Sequence, residues 1–177
     1  MDLPKRKLHR LKEYDYGSYG YYYVTICTNN RINMLCDIVG NSQPIIPSLI
    51  GKKVIECWNN IALLDNNVEV DKFVLMPNHI HGIIILKNND AVEIIDKKYG
   101  FEIAERRGRR SLQGLMKDFK SVTTRHYKRI NNINQSDSLW QESYYDQIIK
   151  NHEHYKKIWQ YIDENPQKWQ QDEFYVT

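Results

Sequence analysis

His79 and His81 stand one residue apart in the apolar run Phe73-Val-Leu-Met-Pro-Asn-His79-Ile-His81-Gly-Ile-Ile-Ile-Leu86. On a strand, residues i and i+2 point to one face, so the two imidazoles project side by side with Ile80 on the other face. Two adjacent neutral imidazoles are half of a metal site. A single histidine on an apolar strand is ordinarily a core residue, but burying two imidazoles requires two partners. The pair alone does not choose the metal, and no cysteine motif accompanies it to suggest a structural zinc centre.

A second constellation lies near the C-terminus. Tyr155, Ile158, Trp159 and Ile162 form the apolar stripe of a helix. At about 100° per residue, Tyr161 lies roughly 120° from the centre of that stripe. His154 and Asn165 project close to the same line, and Asn165, four residues after Tyr161, can reach the same ligand. Asn165 precedes Pro166, which biases it away from helical angles. Lys157 and Lys168 flank this face with positive charge. A phenol has a pKa near 10 and is a weak nucleophile at neutral pH. A divalent cation that polarises a phosphate and stabilises its developing charge would let Tyr161 attack and hold the phosphoryl group covalently. By position alone, any one of thirteen tyrosines is more simply a surface or core aromatic.

The elements that must position these residues follow from periodicity and punctuation. The aromatic and β-branched run Tyr21 to Thr28 predicts a strand. Residues 29–47, with Pro44 and Pro47, read as a loop. Ser48 can cap a helix reaching about Leu64, with Val54, Ile55, Trp58, Ile61 and Ala62 on its apolar face. Val68–Met76 and His79–Lys87 predict two strands joined tightly at Pro77-Asn78, hence an antiparallel hairpin. Ser111 begins a second long helix to about Asn131, with Leu112, Leu115, Met116, Phe119 and Val122 on its buried side. Tyr144–Lys150 predicts a fourth strand, and Asn151 caps a last helix that Pro166 stops. The order β-α-β-β-α-β-α predicts an α+β fold: a ferredoxin-like split βαβ antiparallel sheet with helices on one face and an added C-terminal helix.

At 177 residues, 41% apolar and 27% charged, the chain is expected to be one domain over residues 1–177, with a basic arm over 1–16 and a surface loop over 88–110. The net charge of +3 says little by itself. Three sparse cysteines without a C-x-x-C pair suggest reduced thiols and a cytoplasmic protein. The basic N-terminus is followed by no apolar segment of the signal-peptide kind, and no run reaches the roughly 18 apolar residues of a membrane span.

Met76-Pro-Asn-His79-Ile-His81-Gly-Ile-Ile resembles the HUH metal motif of tyrosine transposases. The tail Trp159-Gln-Tyr161-Ile-Asp-Glu-Asn165-Pro166-Gln-Lys-Trp169 resembles the C-terminal signature of the REP-associated tyrosine transposases. Leu139-Trp140-Gln-Glu-Ser-Tyr-Tyr-Asp-Gln-Ile-Ile149, Arg6-Lys-Leu-His-Arg-Leu-Lys-Glu-Tyr-Asp15 and Tyr23-Val-Thr-Ile-Cys-Thr28 are similar to that family too. The likeness spans nearly the whole chain apart from residues 88–110. It implies a transposase that cleaves and rejoins single-stranded DNA at hairpin-forming repeats through a 5′-phosphotyrosine. It also implies Tyr161 as nucleophile, His79, His81 and Asn165 as metal ligands, magnesium or manganese as cofactor, and a monomer or homodimer. Glu142 stands where a basic residue often follows Trp-Gln in the family, a departure that bears on local DNA contacts and not on the chemistry.

The charge pattern supplies candidate DNA contacts of its own. Arg6 and its neighbours charge the arm, Arg106, Arg107, Arg109 and Arg110 form a patch, and Lys117, Lys120 and Arg125 line the second long helix. Such clusters neutralise phosphates, although any one of them is equally a solvated face. His154 and Lys157 join them beside Tyr161. Trp140 is the foremost candidate for stacking on an unpaired base, and is equally suited to plug a core. Two other readings stand beside the nuclease: a catalytically inactive nucleic-acid-binding domain with a structural histidine pair, and a hydrolase that activates water.

Overall fold

The computed structural model describes residues 19–39, 45–87, 110–133 and 137–175. The basic arm with Arg6, and Arg106, Arg107 and Arg109, lie outside the described residues. The tyrosine-rich run forms β1 (Gly20–Cys27). The stretch after it, expected as a loop, instead carries a short hairpin of β2 (Cys36–Ile38) and β3 (Ile45–Pro47). Pro47 closes this hairpin at the end of its strand, where a proline's missing N–H is tolerated. Ser48 then caps α1 (Leu49–Asn59) by accepting from Gly51 N at 3.0 Å. The chain continues in a 3-10 turn over Asn60–Leu63.

β4 (Val68–Leu75) and β5 (His79–Leu86) form the expected hairpin. Ser111 caps α2 (Leu112–Asn131), which ends on Asn132 in the left-handed conformation. β6 (Tyr145–Ile149) follows, and Asn151 caps α3 (His152–Glu164) by accepting from His154 N at 2.8 Å. Beyond α3 the chain does not stop at Pro166 but tightens into a 3-10 segment over Asn165–Gln171.

The main sheet has the order β4-β5-β1-β6 with every neighbouring pair antiparallel. This is the strand order of a split βαβ fold. α1 and α2 cover one face, where Tyr22, Val24, Ile26, Ile80 and Ile84 pack with Trp58, Leu112, Leu115, Met116 and Phe119. Gly82 is needed there, because a Cβ at that position would lie 2.2 Å from the Trp58 ring. α3 covers the opposite face, where Ile158 and Ile162 meet Tyr23, Val74, Met76, Ile83 and Ile149.

A bulge in β4 between Val70 and Phe73 directs two polar side chains at α3. The Tyr155 hydroxyl donates to Asp71 Oδ2 at 2.6 Å, and Lys72 pairs with Asp163 while lying 3.7 Å over the Trp159 ring. These contacts fix where α3 crosses the sheet, and so where Tyr161 falls. Among the described residues, no helix is long and apolar enough to cross a membrane.

Candidate metal and nucleophile site

Strand register brings the site together. Thr25 pairs with His81 and Cys27 with His79 across β1 and β5, so these four residues share the face under α3. Both histidines are buried, at 0% and 1% exposure. Their Nε2 atoms face each other at 3.0 Å. Two protonated nitrogens cannot meet this way, so at least one presents a lone pair.

The surrounding hydrogen bonds assign His79. Asn78 Nδ2 donates to the carbonyls of Arg31 (3.1 Å) and Phe174 (2.7 Å). That fixes the amide orientation and turns Asn78 Oδ1 toward His79 Nδ1 at 2.9 Å. His79 Nδ1 therefore carries the proton, and its Nε2 lone pair is directed at His81. His81 Nδ1 meets two hydroxyls, Tyr23 Oη at 2.7 Å and Thr25 Oγ1 at 2.8 Å. Hydroxyls donate or accept, so His81 is free to hold its proton on either nitrogen. Burial pushes the His81 imidazolium down to about 3, and holds His79 well below the usual histidine range with help from His81 and Arg31. Both rings are neutral, the state a metal ligand requires.

α3 brings Tyr161 against this pair. Its ring centroid lies 5.3 Å from that of His81 and 6.4 Å from that of Tyr23, and the side chain is 43% exposed. Burial and the Asp172 carboxylate raise the phenol's pKa, while the Asn165 amide, hydrogen-bonded to the phenol, pulls the other way. Asn165 keeps helical angles (φ −56°, ψ −43°) despite the following proline, because the chain continues helically in the 3-10 segment. It is 3% exposed, and its Oδ1 has no hydrogen-bond partner within the protein. A buried carbonyl oxygen left unpaired costs about 1–3 kcal/mol, which a bound water or cation would relieve. Tyr161, Asn165, Lys168 and Asp172 line a cavity of about 350 Å³.

Sequence reasoning missed Asp172. It offers a carboxylate oxygen that lies, with one nitrogen each of His79 and His81, within a group spanning 4.8 Å. Two neutral imidazoles and a carboxylate oxygen this close together could hold a divalent metal ion. Cys27 lies on the same face, and burial raises its thiol to about 11.

No protein-family model matches the chain. Over 175 residues it is 32% identical to an uncharacterized protein of Haemophilus influenzae, covering 97% of this chain and 93% of that protein. The chain belongs to that protein's family. It is also similar to a solved structure of a REP-associated tyrosine transposase bound to a REP hairpin. The TM-score is 0.51 and the identity 18%, over 90% of this chain and 74% of that one. What is shared at that identity is the fold: the antiparallel four-stranded sheet with its helices is that of the transposase.

Within this fold the expected DNA contacts separate. Trp140 is a core plug, 1% exposed, with Nε1 donating to Thr123 Oγ1 at 2.7 Å and its ring tilted on Phe119, so it offers no face to a base. Lys120 is half-buried and donates to the carbonyls of Gln141 and Glu142, tying α2 to the segment before β6. Arg110 pairs with Asp118 at 2.6 Å. Lys117 and Arg125 are exposed on α2, the layer opposite Tyr161. His154 Nδ1 accepts from Lys150 N at 3.3 Å at the start of α3, and Lys157 is exposed one turn before Tyr161.

Proposed function

We propose that the protein is a metal-dependent transposase that nicks and rejoins single-stranded, hairpin-forming DNA through Tyr161. The observation that carries this reading is the placement of the Tyr161 phenol against the His79–His81 pair, with the unpartnered Asn165 oxygen beside it. A bound magnesium or manganese ion, held by His79, His81 and Asn165, would polarise the scissile phosphate and offset the charge that raises the phenol's pKa. The fold neighbour was solved on a REP hairpin, which supports hairpin DNA as the partner.

The Tyr161 oxygen would attack phosphorus, losing its proton to solvent. The bond to the 3′ oxygen breaks, and that oxygen leaves as a hydroxyl after taking a proton. The product is a 5′-phosphotyrosine that conserves the phosphodiester, so a 3′-hydroxyl can reverse the step without a nucleotide cofactor. Asn165, beside the phenol, would orient it, and Tyr23 and Thr25 hold the His81 ring. Lys157, exposed one turn before Tyr161, would offer positive charge to the DNA backbone, and reduced cysteines fit action in the cytosol.

The test is incubation with labelled single-stranded hairpins from the flanks of the protein's own gene, with magnesium or manganese. Wild type should give a covalent adduct, and Tyr161→Phe should abolish it while hairpin binding is retained. An adduct that survives Tyr161→Phe overturns the assignment. One observation favours a second reading: with His81 Nε2–H donating to His79 Nε2, the buried pair is hydrogen-bonded as it stands. In an inactive binding domain with a structural histidine pair, hairpins would bind and no divalent ion would yield cleavage.

A further inference from the structure

The segment after the 3-10 turn is docked against the histidine pair by contacts that converge from three parts of the chain. Phe174 N donates to Asp172 Oδ1 at 2.7 Å, an Asx turn that fixes the carboxylate. The Phe174 carbonyl accepts from Asn78 Nδ2 at 2.7 Å. Arg31 donates to the Glu173 carbonyl at 3.4 Å and lies 5.0 Å over the Phe174 ring. That ring in turn stands 4.8 Å from the ring of His79.

Two details show that this docking is built into the fold. Asn78 is wholly buried, and its one amide holds His79 by the oxygen and the segment by the nitrogen. Arg31, whose carbonyl that amide also binds, has a φ of 55°. A left-handed conformation costs a non-glycine residue about 1–2 kcal/mol, so the surrounding contacts must hold it there.

We infer that Asp172 is a ligand of the cation, so that the C-terminal segment, and not α3 alone, completes the metal site. This rests on the metal reading above and extends it. One Asp172 oxygen is engaged by the Phe174 N–H, which leaves the other for single-oxygen ligation. A carboxylate adds a hard, charged donor to two imidazoles and an amide oxygen, which strengthens binding of a magnesium- or manganese-type ion. Because Asn78 links His79 to the segment, cation binding and segment docking stabilise each other.

The experiment is calorimetric titration of the full-length protein with manganese chloride alone, without DNA, at low and at high salt. Wild type, His81→Ala and Asp172→Asn are compared, with thermal melting to confirm folding. Asp172→Asn keeps an oxygen for the Phe174 N–H and removes the charge. Manganese affinity should fall by about 10- to 100-fold in Asp172→Asn, the range seen even for outer partners of metal ligands. The loss should persist at high salt, and the electron-paramagnetic-resonance signal of bound manganese should change. Wild-type affinity in Asp172→Asn, or a deficit that disappears at high salt as screening of a mere nearby charge would produce, overturns the inference. In either case, loss of binding in His81→Ala leaves the metal reading standing. No manganese binding by wild type removes both.

Discussion

The two faces of the sheet use the same strands for different ends. On the face under α1 and α2, β1 and β5 present Tyr22, Val24, Ile26, Ile80 and Ile84, packed with Trp58 and Phe119 into a continuous apolar core. On the face under α3, the alternate residues of the same strands are Tyr23, Thr25, Cys27, His79 and His81. There a chain of hydrogen-bonded polar groups lies beside the apolar cluster of Val74, Met76, Ile83, Ile158 and Ile162, and the buried Asn165 Oδ1 has no partner within the protein. A one-residue period shift would exchange the two faces, so the register that buries the core also assembles the site. The difference teaches that one pair of strands can build the larger apolar core on one face and hold buried polar groups beside a smaller apolar cluster on the other.

Substitutions can break that division, and the largest effect is expected on the apolar face. Trp58→Ala should cost about 3–5 kcal/mol of unfolding free energy, read by urea denaturation, because it empties the contact between α1, Gly82 and Phe119. A loss below 1 kcal/mol would mean that this face does not dominate stability.

The next effect belongs to the other face and to pH. The His81 pKa is about 3 in the folded protein against about 6.5 unfolded, and that of His79 is also depressed. Above pH 6.5 both states hold neutral rings and this contribution to stability is fully present. As pH falls below 6.5, the unfolded chain takes up protons that the folded one refuses, so stability drops until the folded pKa is reached. In a metal chelator, the melting temperature should be level above pH 6.5 and decline from 6.5 to 5, before carboxylates titrate. A level profile across that window would contradict the buried neutral pair. Added manganese should raise the plateau, because it binds only the folded form.

The smallest effect is expected from the exposed charge of α2. Arg125→Ala should weaken hairpin binding slightly and lower the salt slope by about one, since one phosphate contact is lost. Adduct yield at saturating DNA should be unchanged, because Arg125 lies in the layer opposite Tyr161. A fall in adduct yield would mean that DNA wraps both layers as one catalytic surface.

The local rules reached a good part of this. Alternation placed both histidines on one face, caps at Ser48, Ser111 and Asn151 marked three helix starts, and helical spacing set Tyr161 outside the apolar stripe. What escaped had tertiary causes. The β2–β3 hairpin was hidden by Pro47, which ends a strand as readily as it breaks one. Trp140 read equally as a stacking ring or a core plug and Lys120 as a DNA contact; the bridge of Trp140 to Thr28 turns that segment inward and decides for the plug. Asp172 lies far along the chain from the histidines, beyond the expected end of the last helix. The turn at Phe174, the amide of Asn78 and the Arg31 side chain bring it to them.

The central claim is that the Tyr161 oxygen takes the DNA 5′ phosphate. Its most direct test is mass spectrometry of the trapped protein–DNA adduct after protease and nuclease digestion, with the manganese-loaded wild type. The predicted result is a nucleotide carried on the peptide containing Tyr161 and on no peptide containing Tyr23 or Tyr145, the neighbouring phenols. A nucleotide on either of those, or cleavage of the hairpin with no nucleotide bound to protein, would contradict it.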